Sequence, residues 1–232
     1  MKRNIFPKVL NDLNLYYIDY FVKIMNQKNS LELDICFQDL KNPIELFKIW
    51  MNDAIKSELN DPNVLALATS DKNGTPSVRM VLLKDFSENG FVFYTNLNSP
   101  KSITLKNNPN ASMCFHWKTL LRQIRITGSI SSVSDEEADN YYKSRPYDSR
   151  IGAWASQQSQ ILNSREELLS EIEKFKKKYS NEENVPRPKH WSGWRLSPVE
   201  IEFWLDGRSR IHERLKYIKK QDKDWERFLL NP

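Results

Sequence analysis

Glycine occurs only six times in the 232 residues, and neither GxGxxG nor GxxxxGK appears. That disfavours a dinucleotide fingerprint and a P-loop, both of which need glycine where backbone meets phosphate. Cysteine is scarcer still: Cys36 and Cys114 form no CxxC pair, which excludes a disulfide framework and a cysteine-rich zinc site. The three histidines, His116, His190 and His212, do not stand at metal-ligand spacing, so no metal is expected. No apolar run approaches the roughly 20 residues that cross a bilayer. The basic N-terminal stretch is broken by Asn and Asp before a signal-like block forms,. The expectation is a cytoplasmic protein of a reducing compartment, without a membrane. A large excess of one charge is also missing. With 35 Lys+Arg against 30 Asp+Glu, the net charge of +5 suits small anionic ligands and equally a weak affinity for nucleic acid.

What is present is enough apolar sequence, 39%, for a packed core. The length leaves one domain or two undecided. The first forty residues show weak periodicity, so 1–41 are read as a flexible N-terminal segment and 42–232 as the domain. A helix opens at Asn42 as N-cap, with Pro43 at its first position and Glu45 in the capping-box place. Its apolar stripe is Phe47, Trp50, Met51, Ala54 and Ile55. From Val64 the pattern turns to strands: 64–69, 77–84, 91–95, 111–117, 123–130, 200–205 and 208–215. Turns at Asp71–Gly74, Ser87–Gly90 and Asp206-Gly207 carry the dipeptides that favour hairpins. Short helices interrupt this meander at 99–107, from Ser134 to a stop at Pro146, and from Ser164 with Leu168, Ile172, Phe175 and Tyr179 on one face. Val185–Lys189 reads as an extended connector. Short antiparallel strands with helices outside predict an α+β fold built on a Greek-key-like β-barrel.

Several polar residues stand out against this pattern. Arg79 lies in RMVLLK (79–84), a strand apolar on both faces and therefore expected to be buried on both. A buried guanidinium requires a partner, which spacing leaves open as an internal carboxylate or a bound anion. After Asp206-Gly207, strand alternation puts Arg208, Arg210, His212 and Arg214 on one face. Such a face repels itself unless an anionic or electron-rich group lies across it, or unless it is a solvated edge. Tyr141 and Arg145 stand four apart on a helix, with Ser149 just beyond; together they suit a phosphate clamp, though capping and surface pairing also explain them. Trp204 is the tryptophan placed to act as a ring-packing wall. These clusters point to one or two phosphorylated aromatic ligands.

The motifs RMVLLK at Arg79, FVFYTNLNSPK at Phe91, SRPYDSRIGAWASQQS at Ser144 and IEFWLDGRSRIHER at Ile201 occur in that order, and a closing Trp225 to Asn231-Pro232 follows. This series closely resembles the pyridoxine (pyridoxamine) 5′-phosphate oxidases, from about Phe47 to the C-terminus. The resemblance implies an FMN-binding split β-barrel with flanking helices, working as a homodimer with the flavin at the subunit interface. It implies oxidation of pyridoxine 5′-phosphate or pyridoxamine 5′-phosphate to pyridoxal 5′-phosphate, with molecular oxygen as acceptor and hydrogen peroxide released. Carried over by motif, the FMN contacts fall on Arg79, Met80, Val81, Leu82, Tyr94, Thr95, Lys101, Gln123, Gln158, Ser159, Trp204 and Arg214. Substrate contacts fall on Lys84, Tyr141, Arg145, Ser149, Arg210 and His212. Arg210 and His212 are the implied catalytic residues, with Asp61 of the Leu59–Pro62 stretch a further candidate that a plain turn also explains. Where the family often has Arg-Lys after the FYTN loop, this chain has Pro100-Lys101, one phosphate cation fewer.

Two other readings remain. A related split-barrel flavoprotein acting on another substrate has no use for the second phosphate clamp at Lys84, Tyr141, Arg145 and Ser149. A basic barrel binding single-stranded nucleic acid requires a stronger cationic excess than this near balance.

Overall fold

The computed structural model describes residues 28–221 and 224–232. Of the N-terminal segment read over 1–41, residues 1–27 lie outside the described residues. Within 28–41, Leu33 and Phe37 are buried in the main core.

Among the described residues, nine antiparallel strands form one curled sheet: β1 (Val64–Ser70), β2 (Pro76–Leu82), β3 (Asp85–Ser87), β4 (Gly90–Asn96), β5 (Asn110–Trp117), β6 (Arg122–Ser132), β7 (Trp191–Leu205), β8 (Glu213–Lys219) and β9 (Trp225–Leu229). Five helices of the described residues accompany it: α1 (Pro43–Ser57), α2 (Pro100–Asn107), α3 (Asp135–Ser144), α4 (Tyr147–Ala155) and α5 (Arg165–Lys178). The strand order is β2-β1-β5-β6-β7-β4-β3, with β8 on β7 and β9 on β8.

The long strand β7 splits the barrel. One edge follows β6 along its length, while the other pairs first with β4 (Phe91↔Leu196 to Asn96↔Trp191) and then with β8 (Glu200↔Ile218 to Leu205↔Glu213). The register slips between Thr127 and Gly128, opposite Pro198 and Glu200. Pro198 has no N–H for the ladder, so an irregularity belongs there. Gly128 permits it: a Cβ would sit 2.1 Å from the carbonyl oxygen of Ser197.

Helix α1 fills the inside of the curl. Asn42 caps it by accepting from the Ile44 N–H at 2.9 Å. Its buried face places Phe47 edge-on to Phe86, Phe91 and Phe115. Trp50 meets Phe37 and Phe203 and donates its indole N–H to the Cys36 carbonyl at 2.8 Å. Ile55, read as part of this stripe, is instead 60% exposed; Ile44 and Leu46 take the buried positions.

Other expectations change as well. Strand β2 lies at a sheet edge rather than between layers, and Val78, Met80 and Leu82 are exposed, Val78 by 68%. Residues 208–215 are not one strand: a 3-10 turn occupies Arg208–Arg210, with Ser209 and Arg210 at φ 56° and 65°, so the expected alternation of Arg208, Arg210, His212 and Arg214 does not form. Pro146 ends α3 as expected but also caps α4, a helix with no clear sequence signal. Strand β7 begins nine residues earlier than the 200–205 read from sequence, and the short β3 and terminal β9 join the sheet. In α3, Ser134 caps by accepting from the Glu137 N–H at 3.1 Å, while the Glu137 carboxylate turns to Arg195 on β7.

Candidate active site

A cavity of about 660 Å³ opens between β2, β4, α3, α4 and the start of β7, within the size range of small-molecule sites. Of the candidate residues, Met80, Val81, Leu82, Lys84, Tyr94, Thr95, Lys101, Tyr141, Arg145, Ser149 and Gln158 line it. They come from chain segments as far apart as residues 80 and 158, joined by the β4–β7 pairing and by the packing of α3 and α4.

Lys101 lines the cavity, and Arg79 on β2, next to the lining residue Met80, stands close enough to act on its charge. Pro100 starts α2 at its first position, which brings Lys101 back over the end of β4. Its ammonium donates to Thr95 Oγ1 (2.9 Å), Ser99 Oγ (3.0 Å) and Gln158 Oε1 (2.7 Å). Arg79 donates to the Leu67 carbonyl (3.1 Å), Thr69 Oγ1 (2.8 Å) and Ser77 Oγ (2.6 Å). All six acceptors are neutral oxygens, and among the described residues neither cation pairs with a carboxylate. Burial, and then the charge of Arg79, push Lys101 down to about 8; burial also lowers Arg79. A buried ammonium whose charge is further disfavoured by a neighbouring, partly buried guanidinium makes a cradle for an anion,.

Arg145, which also lines the cavity, caps the C-terminus of α3. Its guanidinium lies 4.7 Å from the Trp191 ring centre, and its Nη1 is buried without a hydrogen-bond partner among the described residues. Burial lowers its pKa, and Arg150 adds to that. Tyr141 stacks on Tyr94 with centres 4.0 Å apart, and Tyr94 stacks on Trp191 at 5.3 Å. Burial, with Glu137 and Asp85 nearby, pushes the Tyr94 phenol up to about 12, so it stays protonated as a donor. Ser149 on α4 and Lys84 beyond β2 also line the cavity. Trp191 is the wall that sequence reasoning passed over; nothing local distinguishes it from a core tryptophan.

Gln123, Trp204, His212 and Arg214 form a second group outside this cavity. Register places Gln123, Trp204 and Arg214 side by side on β6, β7 and β8, on the sheet face opposite the buried Ile124, Phe203 and Leu215. His212 lies against Trp204 with ring centres 4.6 Å apart. Its Nδ1 accepts from the Gly207 N–H at 3.1 Å and lies 3.1 Å from an Asp206 oxygen. Arg210 projects from the exposed 3-10 turn. Ser159 follows Gln158 in its loop at φ 69° without lining the cavity. Asp61 joins neither group; it is an exposed turn residue whose carbonyl accepts from the Val64 N–H. Among the described residues there is no group of three or more His, Cys, Asp or Glu arranged to hold a metal, and no helix is long and apolar enough to cross a membrane.

A family model described as pyridoxamine 5′-phosphate oxidase matches residues 51–179. A second, described as the pyridoxine 5′-phosphate oxidase C-terminal dimerisation region, matches residues 191–232. The chain is 67% identical over 208 residues to a pyridoxine/pyridoxamine 5′-phosphate oxidase of Pelagibacter ubique (strain HTCC1062), covering 90% of this chain and 100% of that one. It is 50% identical to the protein of the same name from Bartonella henselae, over 88% of this chain and 99% of the other. Among solved structures, PhzG from Burkholderia lata 383, in complex with tetrahydrophenazine-1-carboxylic acid, superposes with a TM-score of 0.79 at 30% identity, covering 85% and 96% of the two chains. An FMN-binding protein of Nostoc punctiforme, at 17% identity over 82% and 98% of the chains, shares the fold with a TM-score of 0.67.

Proposed function

The chain belongs to the pyridoxamine 5′-phosphate oxidase family, and from that membership we infer that it oxidises pyridoxine 5′-phosphate or pyridoxamine 5′-phosphate to pyridoxal 5′-phosphate, with FMN as cofactor and molecular oxygen as acceptor. Two electrons and two protons leave the C4′ position and reduce oxygen to hydrogen peroxide; the amine substrate also consumes water and releases ammonia. The observation that carries this reading is one cavity lined by Lys101, with Arg79 close behind it, and by a second cationic set, Lys84 and Arg145, none of which pairs with a carboxylate among the described residues. Two phosphorylated heterocycles lying against each other need that arrangement, and a single ligand does not.

The residues present fit FMN. Arg79 and Lys101 supply the charge for its phosphate, Thr95 and Ser99 supply hydroxyls, and Gln158 supplies an amide. Bound there, FMN provides the hydride acceptor that no protein side chain offers. The protein's part is placement. Lys84, Tyr141, Arg145 and Ser149 hold the substrate phosphate, and that anchoring fixes the pyridine ring so that C4′ faces the reacting position. The stacked Tyr94, Tyr141 and Trp191 wall the cavity against water.

Gln123, Trp204, Arg210, His212 and Arg214 stand outside the cavity of their own protomer, and we assign them to the site formed with a second copy. Supporting this homodimer are the dimerisation-region match over 191–232 and the exposed apolar row of Val78, Met80 and Leu82 beside the cavity. In that assembly Arg210 and His212 flank the substrate ring, where Arg210 stabilises charge developing at C4′ and His212 takes a proton.

The test is an oxygen-electrode assay of the FMN-loaded protein with pyridoxine 5′-phosphate and with pyridoxine. Peroxide formation with the phosphorylated vitamer, at a kcat/KM at least a hundredfold higher, is expected. Equal rates on both would leave the second cationic set without a purpose and favour a flavoprotein of other substrate.

A further inference from the structure

Glu202 is a carboxylate only 4% exposed on β7, two residues before Trp204 and on the same sheet face. Its Oε1 accepts from Arg214 Nε at 2.9 Å and lies 2.8 Å from Arg214 Nη2. Its Oε2 accepts from Arg125 Nη1 at 3.2 Å. The third grip on Arg214 is the carbonyl of Asn231, which accepts from Nη1 at 2.9 Å. Lys216, the cross-strand neighbour of Glu202, turns to Glu200 at 2.7 Å instead. Among the described residues Glu202 is therefore the one carboxylate that pairs with both guanidinium groups.

A buried carboxylate does little for stability that an apolar side chain of like volume would not do. What it does, and an apolar group does not, is fix the plane of a guanidinium. We propose that Glu202 is a positioning residue for the cofactor site: it holds the Arg214 guanidinium diagonally across the sheet face, in the one orientation that presents its free N–H groups to the flavin. Released from Glu202, the same side chain has the indole of its cross-strand partner Trp204 within reach, where it would cover the face on which a ring is to pack. Arg125, 54% exposed, balances the second oxygen and takes no part in binding. This inference rests on the assignment of Arg214 to the FMN site, and the experiment separates the two.

FMN affinity of the apoprotein is measured by fluorescence titration in a double-mutant cycle. Glu202→Gln leaves one neutral acceptor for two arginines and is expected to weaken FMN on the order of tenfold. Arg214→Ala is expected to weaken it at least as much, and Glu202→Gln added to Arg214→Ala should cost nothing further. Arg125→Ala should stay within about twofold of the parent protein. Equal losses from Glu202→Gln with and without Arg214 would overturn the proposal, because the residue would then be acting on the fold at large. So would an unchanged affinity in Glu202→Gln beside a weakened Arg214→Ala. An unchanged affinity in Arg214→Ala would overturn the Arg214 assignment itself. If Glu202→Gln does not fold, Glu202→Asp, which keeps the charge with a shorter reach, enters the same cycle and must show the same dependence on Arg214.

Discussion

Replacing Arg145 with Met separates substrate recognition from stability. The methionine keeps an unbranched stem against Trp191 but removes a guanidinium whose Nη1 is buried without a partner among the described residues and whose charge burial and Arg150 both disfavour. In the substrate-free protein that group is a liability: an unsatisfied buried donor costs about 1–3 kcal/mol. Against this stands the lost contact with the Trp191 ring at 4.7 Å, of order 1 kcal/mol. The variant should therefore melt at the same temperature as the parent or above it. With substrate bound the sign reverses. A charge-assisted hydrogen bond to phosphate contributes about 1.5–3 kcal/mol, so kcat/KM for pyridoxine 5′-phosphate should fall by about 10- to 150-fold. FMN affinity should not change, because the FMN phosphate is assigned to Arg79 and Lys101 and Arg145 to the substrate clamp. Steady-state kinetics with pyridoxine 5′-phosphate and with pyridoxine, together with thermal melts, read all three quantities. The reasoning fails if the variant loses as much activity on pyridoxine as on its phosphate, or if its melting temperature falls by several degrees.

Three further outcomes follow from the geometry. Lys101, held near 8 against an ordinary 10.5, binds fewer protons folded than unfolded between those values, so apoprotein stability should rise as pH increases through that window. An anion on Lys101 restores its proton, so FMN affinity should weaken as pH rises above about 8, and Lys101→Met should flatten that dependence in a pH series of FMN titrations. Met80→Asp puts a charge into the exposed apolar edge of β2 and should yield monomers by analytical ultracentrifugation; a dimer of unchanged affinity would place the interface elsewhere. Phe47→Ala empties the centre of an aromatic cluster inside the barrel and should cost about 3–5 kcal/mol in denaturant unfolding.

Turn chemistry and strand alternation made most of the meander legible in the sequence, and the cap residues Asn42, Ser134 and Ser164 marked their helices. The failures have separate physical causes. At Asp206-Gly207 the dipeptide suggested a two-residue hairpin, yet the chain makes a longer loop. Gly207 admits the Ile211 carbonyl so closely that a Cβ would lie 1.8 Å from its oxygen, which is incompatible with simple alternation through Arg208–Arg214. In β2, Val78, Met80 and Leu82 looked like a strand covered on both faces. Apolar pattern alone does not distinguish a strand between two layers from one at a sheet edge. Pro146 was legible as the end of α3 but not as the start of α4, because Tyr147–Ala155 has weak periodicity. The cavity was legible as residues and not as a place. Lys101 and Arg145 were each candidates, but only the fold shows that they face one space while Trp204 and Arg214 face another.

The central claim is that C4′ of a phosphorylated vitamer is oxidised by FMN held on this chain, and an anaerobic titration tests it without relying on turnover. Pyridoxine 5′-phosphate added stepwise to the oxygen-free holoprotein should bleach the oxidised flavin spectrum, with pyridoxal 5′-phosphate appearing mole for mole and the colour returning on admission of air. Flavin that is tightly bound yet stays oxidised through excess pyridoxine 5′-phosphate and pyridoxamine 5′-phosphate would contradict it.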